Sequence, residues 1–180
     1  MHLVTILIAA ANAALFIIAG LTVFSTDRGD ATAPVKRAYS LVLAAGFTAA
    51  DVAAIWVTGQ GPVQALFADA IFAVSIGLFL SASRIARRRR FAYAFTNHLS
   101  SALVTEGSYH YIRHPIYTSY LIFGLGCVLA APGALPLIIL IAMFLVYRNA
   151  AYHEEKLLLS RYPDYRTYQE RAWRFIPFLY

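Results

Sequence analysis

The sequence predicts an all-α membrane protein of about five transmembrane helices, N-terminus outside, C-terminus cytoplasmic, with the last two spans forming a short helical hairpin. Three observations carry that reading. First, the 180 residues are 60% hydrophobic and 13% charged, with a mean hydropathy of +0.61. A soluble domain carries about 25% charged residues, so a disordered chain, a coiled coil and an ordinary water-soluble enzyme are excluded. Second, apolar stretches recur along the chain, and five helices of about 20 residues would consume roughly 100 positions. The remainder suffices for the loops and tails of one membrane domain over 1–180, a three-span part at 1–90 followed by a C-terminal part at 91–180. Third, all 15 Lys and Arg residues fall in alternate intervals between those stretches.

The first stretch, residues 3–24, has no charge. No basic region precedes it, so it reads as a retained helix rather than a cleaved signal peptide. A polar loop with Arg28, Pro34, Lys36 and Arg37 follows, then a second span at 39–58. Gly59-Gln60-Gly61-Pro62 is an uncharged turn. The third span, 63–83, runs into Arg84, Arg87, Arg88, Arg89 and Arg90. Residues 91–111 are too polar to span. Residues 115–131 and 134–147 are apolar and separated by Pro132-Gly133, which suggests the short hairpin. Arg148, Lys156, Arg161, Arg166, Arg171 and Arg174 lie in the tail. Five spans put every basic residue on one side, which the positive-inside rule makes the cytoplasm. The arginine cluster is then a topology anchor that meets anionic headgroups, and no nucleic-acid partner is implied. Cys127 is the single cysteine, so an intrachain disulfide is excluded, and it reads as a small buried hydrophobe.

Polar residues suited to chemistry collect in two cytoplasmic segments. In the first, Arg113-His114-Pro115 begins the fourth span: proline suits the first helical position, which puts His114 at the cap. Free first-turn amides, the helix dipole and Arg113 would form an anion site, with Tyr117 one turn on. The same residues also fit a plain membrane entry, with a snorkelling arginine and an interfacial tyrosine. In the second segment, Glu154 and Glu155 fit either a bound cation or a solvated helix end. Arg148, Tyr152 and Glu155 share one helix face, and Glu154 points elsewhere. No metal is expected, because no close histidine pair exists. Nucleophile elbow, dinucleotide and Walker motifs are also missing from the sequence. Asp51 and Asp69 lie inside spans, where a carboxylate is costly. Structural hydrogen bonding and substrate contact both remain open for them. The tail aromatics Tyr162, Tyr165, Tyr168, Trp173 and Phe175 read as an interfacial anchor, with a lid as the alternative.

Taken in order, Leu103-Val104-Thr105-Glu106-Gly107, Tyr109-x-Tyr111-x-Arg113-His114-Pro115-x-Tyr117, Glu154-Glu155-x-x-Leu158, Tyr165-x-x-Tyr168 and Arg174-Phe175-Ile176-Pro177 resemble the isoprenylcysteine carboxyl methyltransferase and phospholipid methyltransferase superfamily. The match spans 103–177, and the three N-terminal spans match only as hydrophobic helices. The resemblance implies an integral membrane, multi-pass methyltransferase that uses S-adenosylmethionine on the cytoplasmic side and takes a lipophilic acceptor from the bilayer. It implies that Ser101, Ala102, Leu103, Val104, Tyr109, His114, Pro115, Ile116, Tyr117 and Glu154 line the cofactor site, with Arg113 and Glu155 in or behind it. The charges of such a cofactor suit the residues: a carboxylate for the helix start and Arg113, an ammonium and a sulfonium for Glu154 and tyrosine faces.

Prenylcysteine-specific members carry a substrate arginine four residues before the cofactor glutamate, where this chain has Ala150. Arg148 is the nearest candidate for that role. Ser119 and Pro163 stand where glycines are usual. A lipophilic carboxylate, a phospholipid amine and a small thiol therefore all remain open as acceptors. A carboxylate or thiolate needs no general base, whereas an amine must lose a proton, for which His110, His114 or Glu154 is available. Outside the methyltransferases, an NADPH-dependent sterol-type reductase would require Asn-Tyr-x-Gly-Asp after Arg-His, and this chain has Pro-Ile-Tyr-Thr-Ser. A non-catalytic membrane scaffold would leave the paired motifs unexplained, and a transporter would lack a repeat or broken helix.

Overall fold

The structure is a computed structural model that describes residues 2–23, 45–46, 48–50, 52–57, 61–88 and 103–177. Helix α1 spans His2–Val23 and α2 spans Pro62–Arg88. A single turn, α3, covers Ser108–Tyr111. Helices α4 (Pro115–Ala130) and α5 (Ala134–Arg161) form the hairpin, and α6 covers Tyr165–Arg171. Residues 48–50 and 52–57 are helical and belong to the expected second span. The all-helical expectation holds among the described residues. Asp51, the 25–37 loop, Arg89, Arg90 and all of residues 91–102, Ser101 and Ala102 included, lie outside them.

Two of the helices, α2 and α5, are long and apolar enough to cross a membrane, while α1 and α4 contain shorter apolar runs. Helix α2 continues past the expected end at 83 to Arg88, and Arg87 and Arg88 complement the negative end of its dipole. Helix α4 begins as the sequence suggests, with His114 as N-cap and Pro115 in the first turn. It ends before Pro132-Gly133. Helix α5 departs from expectation: the apolar run stops at Tyr147, but the helix continues to Arg161. Apart from Pro136 in the first turn, where a missing N–H costs no helical hydrogen bond, no Gly or Pro occurs between Gly133 and Pro163, so nothing interrupts the backbone ladder. At a rise of about 1.5 Å per residue, Glu154 stands about 30 Å from the start of α5. That is about the thickness of a hydrocarbon layer, so the last two turns extend past it as a polar post.

The helices meet along aromatic and small residues. Phe16 packs edge-on against Phe79, Tyr120 and Phe123, at centroid distances of 4.8, 4.4 and 5.6 Å. Near the hairpin turn, Phe72, Phe123, Cys127, Ala130 and Ala131 form one buried cluster with Ala9, Ile55 and Ala68. Cys127 is free and buried, as expected. Gly126 lets α4 approach α2: a Cβ there would lie 2.6 Å from Phe72 Cε1. Lipid offers little hydrophobic drive between helices, so such contacts act through close packing. Two buried hydroxyls add cross-links or turns: Ser75 donates to the Ser119 carbonyl at 2.8 Å, and Ser119 donates to Ile116. Asn12, fully buried, donates to the Phe72 carbonyl at 3.4 Å.

Candidate active site

The site lies where the start of α4, the polar post of α5 and the C-terminal segment converge. Its entrance segment begins at Leu103. Gly107 has φ +59° and ψ −127°, a conformation suited to glycine, and its missing Cβ leaves room for Ile85 of α2. That bend starts α3 and packs Tyr109 with Val104, Phe79, Ala82 and Ile116.

The C-terminal segment is docked on this end of the molecule. Ile112 and Trp173 form a parallel bridge. Trp173 N–H donates to the Tyr111 carbonyl at 3.0 Å, Arg113 N–H to Trp173 at 2.7 Å and His114 N–H to Arg174 at 3.2 Å. Thr118 Oγ1 donates to the Phe175 carbonyl at 3.0 Å. Tyr165, Tyr168 and Phe175 are buried. These aromatics are thus part of the protein interior, which corrects the expectation of an interfacial anchor. Hydropathy cannot distinguish a tyrosine that lies at a membrane surface from one that closes a cleft.

Glu155 is the hub of that docking. Its Oε1 accepts from Arg113 Nε at 2.9 Å, from Arg174 Nε at 3.1 Å and pairs with His114 Nε2 at 3.1 Å. Its Oε2 accepts from Arg174 Nη2 at 2.6 Å and Gln169 Nε2 at 3.3 Å. Five contacts exhaust a carboxylate with about four lone-pair sites. Arg113 is similarly engaged, because its Nη1 also donates to the Gln169 and Ala172 carbonyls. The guanidinium therefore fastens the C-terminal segment rather than completing an open anion site at the start of α4. Burial alone would raise the Glu155 carboxyl, but the bonds from His114, Arg174 and Arg113 outweigh it and hold it far below its ordinary value. Burial likewise disfavours a charged His114, but hydrogen bonds and charges from Glu154 and Glu155 raise it above 6.5.

Glu154 has a different environment from its neighbour. It faces His114 Nδ1 at 3.4 Å and borders a cleft. The cleft has about 450 Å³ of empty space, counted to its open mouth. Leu103, Val104 and Tyr109 form one wall. Arg113, His114, Pro115, Ile116 and Tyr117 form the second, and Glu154, Leu158, Tyr165 and Tyr168 the third. His114 stacks on Tyr117 at 5.5 Å, and Tyr117 stacks on Tyr147 at 5.2 Å, both nearly parallel.

The phospholipid methyltransferase family profile matches residues 63–165. The chain belongs to the phospholipid methyltransferase family. It is also similar to a solved structure described as the eukaryotic intramembrane Ras methyltransferase, isoprenylcysteine carboxyl methyltransferase. The identity there is 20%, over 95% of this chain and 75% of that one, with a TM-score of 0.46. No curated protein compared with the chain matches it.

In this methyltransferase, nine of the sequence-selected residues border one cleft: Leu103, Val104, Tyr109, Arg113 to Tyr117, and Glu154. Glu155 lies behind it. Arg148 is exposed on α5 and does not border the cleft. The expected common face of Arg148, Tyr152 and Glu155 divides accordingly: Tyr152 is also exposed, and the covered face carries Ala151, Glu155 and Leu158. Leu158, Tyr165 and Tyr168 are cleft residues that the sequence reading did not select. The signal for Leu158 was its position one turn after Glu154 on an unbroken helix. Asp69 has one buried carboxylate oxygen without a hydrogen-bond partner among the described residues. No metal-binding cluster occurs among the described residues either.

Proposed function

We propose that this family member transfers a methyl group from S-adenosylmethionine to a lipophilic acceptor, in the cleft between α4, α5 and the C-terminal segment. The observation that supports this best is a pair of polar groups at the cleft. Glu154 presents a carboxylate to the cleft, and the Tyr165 hydroxyl is buried without a hydrogen-bond partner among the described residues. A ligand with both donors and acceptors fits that pair, and the ribose and amino-acid ends of an adenosyl cofactor have both. Apolar Leu103, Val104, Ile116 and Leu158 suit the purine, and Tyr109 offers an aromatic ring to a sulfonium. The bound cofactor supplies an already activated methyl carbon. The residues then need only align the acceptor and exclude water. Ser101 and Ala102, by their place in the sequence, extend the Leu103 wall.

The acceptor enters from the bilayer side of α4, whose first turn contributes Pro115, Ile116 and Tyr117. The account includes one domain over 1–180, five spans with the N-terminus outside, and a cleft facing the cytoplasm. Support comes from the distribution of Lys and Arg along the chain and from the polar post of α5. Among the described residues of the cleft no arginine or lysine is spare for an acceptor carboxylate, since Arg113 is bonded to Glu155 and two carbonyls.

The test is methyl transfer from isotope-labelled S-adenosylmethionine to protein-loaded vesicles containing lipophilic carboxylate, amine or thiol acceptors. Label is expected in one acceptor class, with a water-soluble fragment of that acceptor reacting much more slowly. Folded protein that labels none of the three classes would overturn the proposal. Equal rates for fragment and lipid would overturn entry from the bilayer.

A further inference from the structure

Two tyrosines of α6 border the cleft, and they differ in one respect. The Tyr168 hydroxyl donates to the Tyr109 carbonyl, which ties α6 to α3. The Tyr165 hydroxyl, on a side chain 1% exposed, has no hydrogen-bond partner among the described residues. A buried hydroxyl left unpaired is costly, and such groups call for an explanation. Tyr165 also lies at the C-terminal edge of the family match.

We propose that Tyr165 is a ligand-binding residue: its hydroxyl donates a hydrogen bond to the bound adenosyl cofactor, from the same wall of the cleft as the acceptor carboxylate of Glu154. This rests on the functional reading above and adds a specificity contact from the C-terminal segment. Donation is the chemically favoured direction, because burial and the nearby Glu155 charge push the Tyr165 hydroxyl well up and keep it protonated. A carboxylate can only accept, and this hydroxyl can donate. The group placed between them must therefore both donate and accept. The ribose diol and the zwitterionic amino-acid end share that chemistry. Because Glu155 anchors Gln169 and Arg174, which follow Tyr165 in the docked segment, and Tyr168 bonds the Tyr109 carbonyl, the helix that carries the hydroxyl is held in place before the ligand arrives.

The experiment compares wild type, Tyr165→Phe and Tyr168→Phe, purified in detergent, by calorimetric titration with S-adenosylhomocysteine and by thermal unfolding without ligand. Tyr165→Phe should weaken binding about tenfold, the loss of one hydrogen bond. It should leave the unfolding temperature unchanged or higher, because it removes an unpaired buried hydroxyl. Tyr168→Phe should lower the unfolding temperature, because it breaks the bond to Tyr109. Repeating the titrations with 5′-methylthioadenosine, which lacks the amino-acid end, locates the contact. A persistent tenfold loss assigns it to the nucleoside, and a vanished loss assigns it to the amino acid. Wild-type affinity in Tyr165→Phe would overturn the proposal while leaving the functional reading intact. So would an unfolding temperature lowered as much as in Tyr168→Phe, since the hydroxyl would then be structural. Wild-type protein that binds neither adenosyl compound would overturn the functional reading and this proposal together.

Discussion

The two ends of the α4–α5 hairpin are held by opposite means. At the turn, Phe72 fits over Gly126, Leu140 approaches Gly124, and Cys127 and Ala130 fill the space between helices. Close packing dominates that end, helped by Gln64, whose Nε2 donates to the Leu129 and Ala130 carbonyls at 2.8 and 3.3 Å, and no buried charge takes part among the described residues. At the other end, one carboxylate, Glu155, joins Arg113, His114, Gln169 and Arg174. Partner accounting explains that end, and it also identifies what is left over. Glu154 and Glu155 are adjacent in sequence, yet Glu155 has its bonding capacity filled within the protein while Glu154 faces the cleft. The difference teaches that the scaffold of the site and its ligand-facing groups are separable by counting hydrogen bonds.

The strongest challenge to this contrast is Glu155→Ala. Removing one partner of a buried charge network leaves the others uncompensated and costs about 3–5 kcal/mol. A large fall in unfolding temperature and early proteolytic release of the C-terminal segment are expected. A change no greater than that of a packing variant would contradict the hub. The matching change at the apolar end is Gly126→Ala. Its Cβ would meet the Phe72 ring at 2.6 Å, an overpacking worth about 1–3 kcal/mol. The unfolding temperature should fall while affinity for S-adenosylhomocysteine is unchanged.

A pH series sharpens the contrast further. Glu155 has a lowered folded pKa, so its contribution is fully present above its ordinary 4.5 and is lost as pH falls toward the folded value. His114 has a raised folded pKa, so its contribution is present below 6.5 and is lost as pH rises through the folded value. Denaturation of wild type should therefore show greatest stability from these groups between about 4.5 and 6.5. In Glu155→Gln the acid limb should shrink, because the glutamine does not titrate. An unchanged acid limb would place the titrating group elsewhere. The smallest effect is expected for Arg148→Ala. That exposed position should change stability by no more than about 0.5 kcal/mol and leave adenosyl affinity as it was. A clear rise in KM for the acceptor alone would return Arg148 to the substrate path.

Helices α1, α2 and α4 were legible because hydropathy and Pro115 specify where they run. The start of α4 was legible in detail, including the His114 cap. The extension of α5 was not, because amphipathic polar residues after Tyr147 look like a tail once the apolar run stops. The cleft residues from Leu103 to Tyr117 were recognisable as an ordered motif. The different helix faces of Glu154 and Glu155 were legible too, but the partners that fill Glu155 were not, because Arg174 and Gln169 arrive through the fold. Tyr165 was hidden for the same reason: a tyrosine in an aromatic tail has no sequence mark that separates burial from interfacial exposure.

The most direct test of the account is calorimetric titration of S-adenosylhomocysteine into detergent-purified wild type and Glu154→Gln, with NADPH as control ligand. The account predicts saturable binding to wild type, about tenfold weaker binding to Glu154→Gln from the lost charge-assisted bond, and no binding of NADPH. Folded protein that binds NADPH but neither sample of which binds S-adenosylhomocysteine would contradict it.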